Sequence, residues 1–349
     1  MVFATRFSRE HLLALPSNFS YYVKELMEMQ EFEVELLNPD DYKGNGIVRT
    51  LKMARAIRKM EADILYLTLW QGYNNLVFAK IFGLIHCKIA IWKYTFCIDS
   101  NNPIKHFFFK HIYWPSIDKV YMMFDNHTED ALRKGLLKDK QVETLSRGVD
   151  LDWYSKFANN KSDGQFMVIA TGKDHRDYFT LGRACEETKT QCHILTGKHQ
   201  TCIDAAYKFR ESQFVHFTFI DELFGNVYGL EAYNYLTKEV SKASVMAICC
   251  EKLPYGAGYT NMVECLAFRI PILQTLNPDV HLDPEKAGIG YSIQPYDVDG
   301  WKKRITMLKE DDGLMAKMSD NIGRLLENEY NSKVTTAFIA SDFKKITNK

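Results

Sequence analysis

The chain lacks a net charge, because its 44 Lys and Arg residues balance 44 Asp and Glu residues. A nucleic-acid binder normally shows a basic excess, so this class of protein is disfavoured. Long apolar runs are also missing, since residues 76–92 are interrupted by Lys80, His86 and Lys88 and are too polar for a membrane span. Residues 1–6 do not resemble the start of a secretory signal. We therefore expect a cytoplasmic protein, with peripheral contact to the inner face of the membrane left open.

Cysteine pairs of the CxxC type are absent, and the histidines form no HxxxH pattern. The sequence thus predicts neither a zinc site nor a disulfide framework. The eight cysteines are scattered, and several lie in apolar segments. Buried, reduced thiols in a cytosolic protein are the expectation.

Short apolar strands alternate with helix-length segments along all of the 349 residues. This alternation is typical of βαβ units and a mostly parallel sheet, and the length favours two domains. We predict an α/β protein of two doubly wound, Rossmann-like domains that face each other across a cleft. The expected divisions are an acceptor-side domain at 1–155, a donor domain at 156–330 and a C-terminal helix at 331–349 that packs back on the first domain. The polar stretch 155–165 is the expected linker.

The segment Gly258–Ala267 reads as a glycine loop that opens a short helix. A helix N-terminus offers unpaired N–H groups and a positive dipole end, which suit a phosphate or diphosphate. Glu264, expected in the first turn, could accept hydrogen bonds from sugar hydroxyls. The alternative is a capping box, in which Asn261 caps the helix and Glu264 closes the motif.

Three ordered stretches resemble glycosyltransferases of the GT-B fold, in particular the glycogen-synthase-like and α-mannosyltransferase-like group. They are Leu145–Asp150, Ile169–Lys173 with Arg176–Tyr178, and Gly258–Ala267 with Pro271. The resemblance covers nearly the whole chain. It implies a metal-independent enzyme of hexosyltransferase type, with no cofactor and with a nucleotide-diphosphate sugar as donor substrate.

The resemblance also implies roles for particular residues. Lys173 and Arg176 would clamp the departing diphosphate at the end of a strand, where ligands of such folds lie. A solvated loop that pairs with Asp174 and Asp177 is the alternative. Glu264 matches the carboxylate that binds the ribose. The residues expected to bind the donor are Gly172, Gly258, Tyr259, Thr260, Asn261 and Glu264.

Two positions depart from the pattern of the group. Gly256 stands where retaining members carry a second glutamate, and Glu251 is the nearest upstream carboxylate. Many relatives place a His-Asp pair after the strand that ends near Tyr94, whereas this chain offers Asp99. We name Asp99 as the candidate catalytic base. A helix-capping role for Asp99 is the competing interpretation.

The segment 105–114 mixes aromatic and basic residues. It could dock on a membrane that holds a lipid-linked acceptor, or form a core helix with exposed lysines. The function we predict is transfer of a sugar to a saccharide or lipid-linked acceptor, in polysaccharide or glycoconjugate synthesis. The alternatives are a non-catalytic GT-B-like subunit that supports a partner transferase, and a sugar-nucleotide epimerase.

Overall fold

The computed structural model describes residues 1–68, 73–158, 164–225, 229–253, 256–277 and 282–348. The chain divides into two compact units: Met1–Arg147 with the residues from Ser332 onward, and Gly148–Asn331. The first unit thus ends before the sequence-based boundary at 155, and the expected linker 155–165 falls in the second unit. Residues 159–163 of that linker lie outside the described part of the chain.

The first unit contains a six-stranded parallel sheet in the order β2-β1-β3-β4-β5-β6. β1 is only three residues long, yet it lies between β2 and β3 and is fully buried. The strands are β1 Val2–Ala4, β2 Glu35–Leu37, β3 Ile64–Leu67, β4 Lys88–Lys93, β5 Lys119–Met122 and β6 Val142–Thr144.

Helices cover this sheet with apolar faces. In the longest of those that precede residue 147, Met53, Ala54 and Ile57 face the core, while the other side is exposed. A five-residue π-helical turn, Phe109–Tyr113, extends the fifth helix and buries Tyr113. The helices are α1 Arg9–Ala14, α2 Val23–Glu28, α3 Gly46–Lys59, α4 Tyr73–Ile81, α5 Pro103–Phe108 and α6 Asp125–Arg133.

The second unit holds another six-stranded parallel sheet, in the order β12-β11-β10-β7-β8-β9. All pairs are parallel, so every strand ends at the same edge of the sheet. The strands are β7 Met167–Thr171, β8 Gln191–Thr196, β9 Val215–Phe219, β10 Val245–Ile248, β11 Ile272–Thr275 and β12 Gly290–Ile293.

The helices of the second unit pack against both faces of its sheet, as the parallel connections require. They are α7 Leu151–Tyr154, α8 Tyr178–Glu187, α9 Gln200–Lys208, α10 Ile220–Phe224, α11 Leu230–Val240, α12 Tyr259–Ala267, α13 Val298–Glu310 and α14 Asp312–Asn328. The two doubly wound α/β sheets agree with the predicted fold class.

The last helix, α15 Ser332–Thr347, belongs to the first unit. Asp342 on α15 forms a buried ion pair with Lys119 on β5, with a distance of 2.8 Å between Oδ2 and Nζ. The ring of Phe343 packs edge-on against Tyr66 of β3 at 5.3 Å. The carboxylate of Glu25 on α2 accepts hydrogen bonds from the hydroxyls of Ser332 and Thr336.

All eight cysteines are buried and none is disulfide-bonded. Within the described ranges, no helix has the length and apolar character needed to cross a bilayer.

Candidate functional site

The strand order of the second sheet reverses between β7 and β10, which are neighbours although β8 and β9 separate them in sequence. In a doubly wound sheet this reversal creates a crevice at the carboxyl ends of the two strands, and ligands bind there. Gly172 and Lys173 directly follow β7, and α12 follows the loop after β10. The predicted donor-binding residues therefore lie around one crevice of one unit.

Gly258 begins α12 in a conformation that glycine adopts most easily. It is the N-cap residue and has a φ of 83°. A Cβ atom at this position would lie 2.2 Å from Cγ2 of Ile248 on β10. Close packing of the loop against the strand thus requires glycine here. The N–H groups of Tyr259, Thr260 and Asn261 open the helix at the positive end of its dipole.

The capping-box alternative is wrong, because Gly258 occupies the N-cap and Asn261 lies inside the helix. Glu264 consequently lies in the second turn of α12 rather than in the first, where the sequence analysis placed it. The helix begins earlier than expected because the left-handed glycine starts it, without any side-chain cap.

Asn261 instead links α12 to the loop after β7. Its Oδ1 accepts a hydrogen bond from Nη2 of Arg176 at 3.0 Å, and its Nδ2 donates to Oγ1 of Thr171. Arg176 also donates from Nε to the carbonyl of Thr171 at 3.2 Å and from Nη1 to the carbonyl of Asp174 at 3.0 Å. These contacts fix the guanidinium plane against both elements.

The geometry of Arg176 favours a positioning role over a direct clamp. A guanidinium has five N–H groups, and the bonds to Thr171, Asp174, Asn261 and Sγ of Cys250 engage about four of them. The predicted pairing with carboxylates is not the arrangement seen for Arg176, because it bonds the backbone of Asp174. The carboxylate of Asp177 instead caps α8.

Lys173 stands at the carboxyl end of β7 with its side chain half-buried. The carbonyl of the preceding Gly172 accepts a hydrogen bond from Oγ1 of Thr196 at 2.8 Å, which fixes the turn after the strand. Of the two predicted cations, Lys173 and Arg176, Lys173 lies nearer in sequence to the end of β7. This placement fits the predicted contact with a diphosphate.

Glu251 ties the loop after β10 to the loop after β7. Its Oε2 lies 3.2 Å from Nδ1 of His175, and its backbone N–H donates to the carbonyl of His175 at 3.0 Å. Glu251 thus reaches the rim of the crevice. Gly256 lies within the described part of the same loop and supplies no carboxylate there.

Glu264 is buried in the second unit, with an exposed fraction of 5%. Burial raises the pKa of its carboxyl to about 7, although hydrogen bonds from Asn261 and Tyr233 act in the opposite direction. The hydroxyl of Tyr233 on α11 in turn lies 2.6 Å from that of Tyr154 on α7. Neither tyrosine is predictable from the sequence, because no local spacing connects them with Glu264.

Asp99 lies in the first unit, and its Oδ1 is 2.7 Å from Nδ1 of His106 on α5. Burial alone would raise the pKa of Asp99, but hydrogen bonds from His106 and from the N–H of Ser100 outweigh it, and the pKa falls below its usual value. The helix-capping interpretation is wrong, because Asn102 caps α5. His106 was not predicted as the partner of Asp99.

No family model matches the sequence, and no curated protein matches it. Solved structures do match in fold. A glycosyltransferase from Rickettsia africae aligns with a TM-score of 0.70 at 12% identity, over 99% of this chain and 89% of that chain. Anabaena HepE in complex with UDP-glucose gives a TM-score of 0.65 at 11% identity, over 99% of both chains.

A third similar structure is named as an epimerase and not as a glycosyltransferase. The UDP-GlcNAc 2-epimerase from Neisseria meningitidis, bound to UDP-GlcNAc, aligns with a TM-score of 0.61 at 11% identity, over 99% of this chain and 98% of that chain. At such low identities the likeness shows the fold alone. Together with the two parallel sheets, it confirms the predicted fold of two Rossmann-like domains of the GT-B type.

Proposed function

We propose that this chain of GT-B fold is a glycosyltransferase that moves a hexosyl group from a nucleotide-diphosphate sugar to a saccharide or lipid-linked acceptor. The observation that carries the proposal is the crevice between β7 and β10. Lys173 follows β7, the N-terminus of α12 follows the loop after β10, and Glu264 lies buried in the second turn of α12. The bound UDP-glucose of Anabaena HepE and UDP-GlcNAc of the Neisseria epimerase support a donor of this class.

The chemistry needs stabilisation of a departing anion. The bond from the anomeric carbon to the diphosphate oxygen breaks, and its electron pair stays on the diphosphate. Lys173 and the N–H groups that open α12 are fixed positive partners for this developing charge. Arg176 holds Asn261 and thereby the start of α12 in place. We assign no metal ion to this step.

Glu264 is the proposed ligand of the nucleotide ribose. A carboxylate can accept hydrogen bonds from two adjacent hydroxyls. Its buried position, with Asn261 and Tyr233 as neighbours, makes these bonds strong because little water competes for them.

The acceptor hydroxyl has to lose a proton as it bonds to the anomeric carbon. We propose that the pair Asp99 and His106 of the first unit takes this proton. Because Nδ1 of His106 faces Asp99, its Nε2 is the atom that can accept it. Whether the reaction retains or inverts the sugar configuration depends on the part that Glu251 plays in place of a glutamate at position 256.

The cellular setting that we propose is polysaccharide or glycoconjugate synthesis in the cytoplasm, next to the inner face of a membrane. The family resemblance of the sequence supports it. A lipid-linked acceptor would require peripheral contact of the protein with that membrane.

The first test is a thermal-shift screen of the wild type with UDP, GDP, ADP, CMP and their common sugar conjugates. A ligand that binds only the folded protein raises its melting temperature by mass action. We expect a shift with one nucleoside diphosphate and its sugar conjugate. The shift should disappear in Glu264→Ala and persist in the control Glu327→Ala, which removes an exposed carboxylate of the same unit. A well-folded wild type that responds to none of the nucleotides would contradict the proposal.

A second candidate function is epimerisation, because the Neisseria epimerase shares the fold to a similar degree. Incubation with UDP-GlcNAc in deuterated water separates the two enzymes. Deuterium at C2 of the recovered sugar supports an epimerase, whereas slow release of UDP supports a transferase. Donor binding without either product would support the non-catalytic subunit, for which the glycine at position 256 is the motivating observation.

A further inference from the structure

The exposed side of α3 concentrates positive charge. The helix contains five basic residues and no acidic one. Of these, Arg49 pairs with Asp40 at 2.9 Å. Within the described ranges none of the other four, all exposed, forms an ion pair; they are Lys52, Arg55, Arg58 and Lys59. In a chain whose net charge is zero, these four residues form a strong local excess of positive charge.

The same side of α3 exposes large apolar side chains. Ile47 is 74% exposed, Leu51 47% and Val48 41%, although the opposite face of α3 is buried in the core. The spacing of four residues from Ile47 to Leu51 and on to Arg55 places apolar and basic groups on one face. Apolar groups therefore occupy the N-terminal half of this face and cations the C-terminal half.

The segment that follows the neighbouring helix α4 adds to this surface. Phe82, in the turn after α4, is 76% exposed. Leu84, two residues later, lines a groove together with Val48, Leu51 and Arg55 of α3. The groove thus joins α3 to the segment after α4.

We propose that this face docks on a bilayer of anionic lipids. We call it the α3 surface and define it by four apolar and four basic residues: Ile47, Val48, Leu51, Phe82, Lys52, Arg55, Arg58 and Lys59. A helix with apolar and cationic groups on its exposed side lies in the plane of the membrane, with the apolar groups below the headgroups and the cations among the lipid phosphates. The proposal rests on the proposed function in one respect, because it assigns a surface to the peripheral membrane contact proposed there; docking itself needs no transferase activity.

A nucleic acid fits the α3 surface less well than a membrane. Its phosphates would pair with the four cations, but a duplex backbone offers no apolar surface for Ile47, Leu51 or Phe82 to contact. A bilayer interface provides phosphates and acyl chains at adjacent depths, which matches both halves of the face.

The α3 surface also suits docking better than the segment 105–114, which the sequence suggested. That segment exposes Ile104 just before it and Phe107 within it, but it buries Tyr113 and Trp114 in the core. Phe108 and Phe109 are partly buried against the same core, so four of its five Phe, Tyr and Trp side chains pack in or on the core. The core-helix interpretation holds for these four.

The test measures binding of the full chain to sedimenting vesicles, without any nucleotide. Two kinds of vesicle are compared. One contains phosphatidylcholine with about 30% phosphatidylglycerol, which represents an anionic leaflet; the other contains phosphatidylcholine alone. We expect the wild type to bind the anionic vesicles and to be released by salt. Because each basic residue near an anionic surface contributes roughly fivefold in affinity, Arg55→Gln/Arg58→Gln/Lys59→Gln should bind on the order of 100-fold more weakly.

A matched control removes the same charge elsewhere. Lys208→Gln/Lys303→Gln/Lys317→Gln changes three exposed lysines of the second unit, for which no ion pair is found in the described ranges. It should bind as the wild type does. Equal loss in both triple variants would show a general charge effect and overturn the proposal.

The apolar half of the face is tested separately. Leu51→Gln/Phe82→Gln keeps every charge and should bind anionic vesicles more weakly, while Ile104→Gln/Phe107→Gln should not. Loss in the second variant alone would assign docking to the segment 105–114 and overturn the proposal. Binding to heparin that is as strong as to vesicles, and that ignores Leu51 and Phe82, would assign the face to a soluble polyanion and also overturn it.

The result is independent of the proposed function. Nucleotide-induced thermal shifts of the triple variant of α3 should equal those of the wild type, because the substitutions lie in the other unit from the crevice. Vesicle binding without any nucleotide-induced thermal shift would support docking by the α3 surface and reject the transferase. A nucleotide-induced shift without vesicle binding would reject only docking by the α3 surface.

Discussion

Among single residues, Glu264 carries a pH dependence of stability that can be given a sign. The pKa of its carboxyl is near the ordinary value of 4.5 in the unfolded chain and about 7 in the folded protein. Between these values the folded state binds the additional proton, so the free energy of unfolding falls as pH rises. Over the whole interval this loss amounts to about 3 kcal/mol.

We therefore expect Glu264→Gln to stabilise the ligand-free protein at pH 8 and to leave its stability at pH 4.5 nearly unchanged. Urea unfolding at a series of pH values measures this. The control is Glu327→Gln, whose carboxyl is exposed and should alter neither value. An unchanged slope between pH 4.5 and 7 in Glu264→Gln would show that another group causes it.

Gly258 is held as glycine by both its positive φ and the close approach of Ile248. Gly258→Ala combines the strain of a positive φ, about 1–2 kcal/mol, with a collision between the new Cβ and Ile248, about 1–3 kcal/mol more. Gly83→Ala is the matched control, because Gly83 has a φ of 71° but open space around its Cβ position. It should lose only the strain energy.

Denaturant unfolding of the two alanine variants compares these costs directly. We also expect Gly258→Ala to abolish the nucleotide-induced shift, while Gly83→Ala keeps it. Equal destabilisation of both variants would mean that the loop before α12 moves away from β10 without cost.

At the scale of elements, α12 and the loop after β7 are joined by the contact between Arg176 and Asn261. Residues that share such a contact show non-additive effects on stability, with interaction energies of about 0.5–3 kcal/mol. We expect a double-mutant cycle of Arg176→Ala and Asn261→Ala to give a coupling in this range. Unfolding free energies of the four proteins measure it.

The comparison cycle pairs Arg176→Ala with Asn321→Ala. Asn321 donates to the carbonyl of Gly288, away from Arg176, so the two effects should add. Coupling as large in this second cycle would show that Arg176 acts on the whole unit. It would then not be a specific positioning residue for α12.

The alternation of strands and helices was readable from the sequence, because the buried strands are apolar and glycines or polar residues separate them. β1 cannot be predicted from its sequence, since Val2–Ala4 offers only three residues and no period can be measured over so short a run. β12 cannot be predicted either, because Gly290 and Ser292 give it little β propensity. Pairing with the neighbouring strands of the sheet determines that each of these two segments forms a strand.

The candidate site was predicted only in part, for a similar reason. Gly258 and Glu264 belong to one local motif and were found together. Tyr233 and His106 were not found, because their contacts with Glu264 and Asp99 depend on packing between elements rather than on sequence spacing.

For the whole molecule, α15 is the element that closes the first unit. Lys119 and Asp342 are 6% and 5% exposed, and breaking such a buried pair by removing one partner costs about 3–5 kcal/mol. We expect Asp342→Ala to lower the melting temperature of the first unit. Asp299→Ala, whose side chain is 89% exposed, is the control and should change little.

Calorimetry with a saturating nucleotide measures both variants. The transition that the nucleotide raises reports on the second unit and should stay in place in Asp342→Ala. A shift of that transition to the same extent would contradict the assignment of α15 to the first unit alone.

The second unit is continuous in sequence, whereas the first is interrupted by it, so the chain has the form of a host with an inserted guest. Val149 donates its N–H to the carbonyl of Tyr330 at 3.0 Å and pairs with Asn331, which brings the two ends of the guest together. Adjacent ends allow a guest to be excised or exchanged without stretching the host. A linker of about four residues between Arg147 and Ser332 should therefore suffice to bridge the gap that deletion of residues 148–331 leaves. The segment 148–331 should likewise be transferable as a unit into a related first unit.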